Sequence, residues 1–157
     1  MSTTNNQLEN VWVRIRGTQR QDGETEVSET VLCTQARFYR RKGVYYIIYE
    51  ESEATGYGGC RTMLSFEPNV RLRMTRTGPV RSSLLLELGK RNVGCYFLES
   101  GELQIGVFAQ EMDGNLTDDG GEFVCTYRLD VNSLPMSENT LQVQIQREPV
   151  KEGPRDE

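Results

Sequence analysis

Apolar and polar residues alternate with a period of two along almost the whole chain, the signature of half-buried β-strands. Val11, Val13 and Ile15 alternate with Trp12, Arg14 and Arg16. QRQDGETE (19–26) follows, and its Asp22-Gly23 tolerates the positive φ of a hairpin turn. Residues 25–40 read as a long strand with Val27, Val31 and Cys33 on one face and Leu32, Ala36 and Phe38 on the other. That change of phase predicts a bulge or bend near 34–36. RRKG (40–43) turns into the aromatic run YYIIYEE (45–51), and EATGYGG (53–59) is a glycine-rich loop. Strands at 60–66, 70–76, 80–88, 93–98 and 103–110 are separated by EPN, TGP, GKRN and ESGE. An acidic loop with a short helical turn is expected at 111–121, then strands at 122–131 and 140–146.

No stretch of ten or more residues carries a helical period. The fold class is therefore all-β. Short connections throughout favour an up-and-down meander of about 8–10 strands, closed into a barrel that leaves no free edge, over a Greek-key sandwich with long crossovers. The barrel domain spans 9–147, between a flexible N-terminus (1–8) and a charged, Pro-containing, flexible tail (148–157).

Composition narrows the function classes. A length of 157 residues fits one domain, and 36% hydrophobic residues, gathered in short runs, can form a core. The net charge of -5 weighs against nucleic acid and anionic membranes as partners. No apolar run is long enough for a transmembrane helix, and MSTTNNQLEN lacks the apolar core of a signal peptide, so a cytoplasmic location is expected. The chain contains no histidine, which removes Ser-His-Asp and Cys-His catalysis and most catalytic zinc sites. The four cysteines, at 33, 60, 95 and 125, include no CxxC and are read as small buried residues. No catalytic residue, metal site or cofactor is expected. ATGYGGC lacks the lysine-serine step and following helix of a phosphate loop, and DGNLTDDGGE lacks the spacing of a calcium loop.

The landmarks YEE (49–51), RTG (76–78), Tyr96, SGEL (100–103) and YRL (127–129) come in an order that resembles the YwiB-like family of uncharacterised bacterial proteins, over about residues 9 to 147. The resemblance implies a calycin-like closed antiparallel barrel, similar to lipocalin and fatty-acid-binding barrels, and a bacterial cytoplasmic home. It supplies no catalytic residues.

Alternation locates the charges such a barrel would bury. Adjacent strand residues face opposite ways, so Glu50 and Glu51 cannot serve one reacting atom together. Both faces of YYIIYEE are apolar, and Glu50, which shares its face with Tyr46 and Ile48, is taken as the inward one. Val70, Leu72, Met74 and Arg76 share the core face of their strand, which carries Arg76 into the barrel, where a guanidinium needs an anion. That anion is either Glu50, as a structural pair, or a ligand head group. Phe123, Cys125, Tyr127 and Leu129 form another inner face. Arg76, Tyr127, Glu50, Tyr46 and Tyr96 are thus the candidate interior site. Arg71, Arg73 and Arg81 read as a solvated outer face.

The expected function is non-enzymatic binding of a small amphipathic, hydrophobic or anionic ligand, with no nucleic-acid or membrane partner, by a monomer or homodimer. The alternative is a self-filled structural or protein-interaction module, with Trp12 as an anchor if exposed. An enzyme would need Glu50 beside a tyrosine or cysteine and has little support in the sequence.

Overall fold

The structure, a computed structural model, describes residues 9–147. The stretches 1–8 and 148–157, expected to be flexible, lie outside the described residues. Within them ten strands follow one another: β1 (Val11–Gln21), β2 (Val27–Arg41), β3 (Val44–Glu50), β4 (Arg61–Glu67), β5 (Arg71–Thr77), β6 (Arg81–Glu87), β7 (Arg91–Leu98), β8 (Gly101–Gly114), β9 (Gly120–Val131) and β10 (Leu134–Gln146). Each strand pairs antiparallel with its sequence neighbours, and β10 returns to β1, closing the barrel. This is the predicted up-and-down meander, and the closure removes the unpaired edges that a ten-stranded open sheet would leave.

The period-two pattern becomes the inner and outer walls. Val11, Val13 and Ile15 point inward from β1, Tyr45, Ile47 and Tyr49 from β3, and Phe123, Cys125 and Tyr127 from β9. Three expectations fail here. β2 carries no bulge, and its register with β1 is unbroken from Ala36 opposite Val11 to Val27 opposite Arg20. Val27, Val31 and Cys33 simply occupy the outer face, where β-branched residues suit a strand without being core. The bulges fall elsewhere, at Gln110 in β8 and Met136 in β10. The acidic loop shrinks to residues 115–119 because β8 runs to Gly114, and the helical turn lies instead at Glu53–Thr55. All four cysteines are free, but only Cys60 and Cys125 are buried, Cys95 being half-buried and Cys33 exposed.

The barrel is filled unevenly. At one end Phe66 and Phe123 stack across the interior with ring centroids 4.1 Å apart, among Phe38, Leu72, Leu86 and Val107. The 115–119 loop plugs this end: Leu116 packs on the core, and its carbonyl accepts a hydrogen bond from the Tyr45 hydroxyl at 3.2 Å. A ten-stranded barrel is wider than one that side chains just fill. At the other end, between Ile15 and Leu32 on one wall and Leu64 and Met74 on another, the width is left as a cavity of about 280 Å³.

Candidate functional site

The cavity is built from two rows of side chains that register places opposite one another. On one wall Tyr49 lies across from Thr62, Thr62 from Arg76, Arg76 from Ser82, and Ser82 from Tyr96, so one inward belt crosses β3 to β7. On the other wall Gln19, Asn139 and Tyr127 align across β1, β10 and β9. The Gln19 amide donates to Asn139 Oδ1 at 3.0 Å, and the Asn139 amide donates to Ser137 Oγ at 3.0 Å, so this buried polar wall satisfies its own hydrogen bonds.

Arg76 is the centre of the first belt. Its Nη2 lies 3.3 Å from Glu51 Oε2, with only 15% of the arginine side chain and 3% of the glutamate side chain exposed. Glu51 is held further by Thr62 Oγ1, which donates to Oε2 at 2.5 Å, and the Thr55 hydroxyl lies 2.9 Å from both Glu51 Oε1 and the Ser52 carbonyl, with one proton for the two acceptors. Its backbone N–H donates to the Cys60 carbonyl at 2.8 Å, which continues the strand one residue beyond Glu50. Tyr57, from the glycine-rich loop, lays its ring 3.8 Å from the guanidinium carbon and covers one face of it. Arg76 Nε is buried and has no hydrogen-bond partner among the described residues. Behind the guanidinium a second void of about 20 Å³, lined by Thr62, Ser82 and Tyr96, has room for one water molecule.

The surroundings resist negative charge. Burial pushes the Tyr49 phenol far up, and the Glu51 carboxylate adds to the effect. Burial also raises Tyr127, with Tyr96 contributing, and raises Tyr96, with Tyr57 contributing. The Cys125 thiol is pushed up to about 12 by burial, which makes it a poor nucleophile.

A family model described as a domain of unknown function, DUF1934, matches residues 13–143. The chain belongs to this family. The DUF1934 barrel is also similar to a solved structure titled as the crystal structure of ywiB protein from Bacillus subtilis. That likeness has a TM-score of 0.68 and 17% identity and covers 89% of this chain and 96% of the other. At that identity it speaks for the fold. No curated protein matches the chain.

Of the five interior residues expected, the DUF1934 barrel brings Arg76, Tyr127 and Tyr96 to the cavity. Glu50 and Tyr46 are corrections. Both point outward: Glu50 is exposed and accepts from Arg61 Nε at 2.7 Å, while Tyr46 stacks on Tyr39 with centroids 4.9 Å apart. The outer face looked apolar in the sequence because cross-strand partners cover it, with Arg37 in turn lying over Tyr39. The inward carboxylate is Glu51. Four other wall residues, Tyr57, Thr62, Gln19 and Asn139, were not anticipated. Running the alternation of Val143 and Leu141 back along the strand would have found Asn139; Tyr57 lies in a loop with no period to read.

Proposed function

We propose that this DUF1934 barrel is a non-enzymatic, cytoplasmic binding protein for a small amphipathic molecule whose polar head meets Arg76 and whose apolar part lies against Ile15, Leu32, Leu64 and Met74. The observation that carries this reading is the Arg76 guanidinium, 15% exposed at the wall of a cavity of about 280 Å³, where of its five N–H donors one on Nη2 alone meets an acceptor among the described residues. An unmade hydrogen bond to a buried guanidinium is costly, and a ligand acceptor would make it. The volume lies just under the usual range for ligand pockets, about 300–1,000 Å³, which suits a small ligand. The outer wall carries Arg14, Arg16, Glu122 and Gln144, a face suited to water rather than to lipid.

Native mass spectrometry of protein purified under mild conditions tests the reading. A small molecule that departs on denaturation, and whose binding is lost in a folded Arg76→Leu protein, supports it. Full occupancy retained in Arg76→Leu, with stability alone lost, makes Arg76 structural and refutes the assigned head-group site.

A further inference from the structure

We infer that the Arg76 end of the cavity selects a neutral head group, one that accepts a hydrogen bond without bringing negative charge, and that Glu51 enforces the choice. This deepens the binding reading above and rests on it.

The first ground is the charge inventory. Among the described residues that line the cavity, Arg76 is the one cation and Glu51 the one carboxylate. The site is therefore neutral before any ligand enters. The second ground is that Glu51 cannot withdraw. Its carboxylate takes hydrogen bonds from Thr62 and Arg76, and its side chain is 3% exposed. A ligand carboxylate or phosphate would sit beside a fixed negative charge, in a weakly screening interior, with no second cation to match it.

The third ground is what Arg76 still offers. Glu51 takes one hydrogen bond from Nη2 and Tyr57 covers one face, while the exposed part of the guanidinium at the cavity keeps N–H donors that no described residue accepts. A hydroxyl, ether or carbonyl oxygen satisfies such a donor and leaves the site neutral. The phenols of Tyr49, Tyr96 and Tyr127 agree with this: all three line the cavity and stand as neutral O–H groups at neutral pH. A lone arginine in an apolar barrel would choose an anion; the buried glutamate reverses the choice.

The test uses calorimetric titration of 1-octanol and octanoate, which share a chain and differ in the charge of the head. On the wild-type protein at neutral pH, octanol is expected to bind at least about tenfold more tightly than octanoate. Glu51→Gln, which keeps the shape and removes the charge, is expected to raise octanoate affinity about tenfold and leave octanol nearly unchanged. Gln19→Lys, which leaves Glu51 in place and adds a cation on the facing wall, is expected to raise octanoate affinity as well, and it serves if Glu51→Gln does not fold. Octanoate binding as tightly as octanol to wild type, or failing to gain in both variants, overturns the selection by Glu51 while leaving the binding reading intact. Neither ligand binding to any of the three proteins removes the binding reading itself, and the inference with it.

Discussion

Glu51 and Arg76 show how one side-chain pair can serve both stability and selection. Both are largely buried, and either one alone would be an uncompensated charge in the wall. Arg76→Leu is expected to destabilise the fold by about 3–5 kcal/mol in urea unfolding, because it leaves Glu51 unpaired. The double change Glu51→Leu with Arg76→Met should recover most of that loss, since a buried ion pair replaced by apolar residues is often neutral or stabilising. The buried tyrosines make a second prediction. The phenols of Tyr49 and Tyr127 lie above their ordinary value of 10.0 in the folded protein. Below about pH 10 both states hold the proton and nothing is lost; above it the unfolded chain releases the proton first and gains on the folded one. Stability should therefore fall as the pH rises past 10, and less steeply in Tyr49→Phe. Absorbance of tyrosinate should show buried phenols titrating only as the protein unfolds. Arg76 was legible in the sequence because Leu72 and Met74 share its face while Arg71 and Arg73 lie opposite. Glu51 was not, because Tyr46 and Ile48 make the outer face of β3 as apolar as the inner one.

At the level of elements, the strands reward alternation where one face is plainly polar, as in β5 and β9, and mislead where an outer face is shielded or β-branched, as in β3 and β2. The two bulges had no signal in composition: each adds one residue whose only trace is a slipped register, Met112 turning inward three positions after Ala109. β8 illustrates what a missing side chain can do. Gly106 lies under the two-point bridge from Arg91 Nε and Nη2 to Asp130, at 2.9 and 2.6 Å. A Cβ there would run into both partners. Gly106→Ala should push the bridge apart and lower stability by no more than about 1 kcal/mol in thermal or urea unfolding, because the atoms in the way are the ends of flexible side chains and the pair is surface-exposed. The bridge holds the Asp130 carboxyl below its ordinary 3.8, with the Arg91 hydrogen bonds as the main cause. Its contribution is present above that pH and is lost as the pH falls through the lower folded value. The stability gap between wild type and Asp130→Asn should thus be open at neutral pH and close in acid below about pH 4.

Seen whole, the molecule is a barrel with a packed end and a roomy end, joined by the same ten strands. Amides beside Phe66, Leu72, Val107 and Phe123 should exchange hydrogen most slowly, and those beside Gln19, Thr30 and Asn139 faster, when followed by mass spectrometry or nuclear magnetic resonance. Equal protection at the two ends would deny that the cavity is a soft region. The closure of the barrel has a further consequence in time. Trp12 finds its partner Gln146 only at the far end of the chain, so the seam between β1 and β10 is the contact of highest order in the fold. A nascent chain on the ribosome holds β1 with one side unsatisfied until the last strand has emerged. A product truncated before β10 would carry two open edges, each a template for another copy.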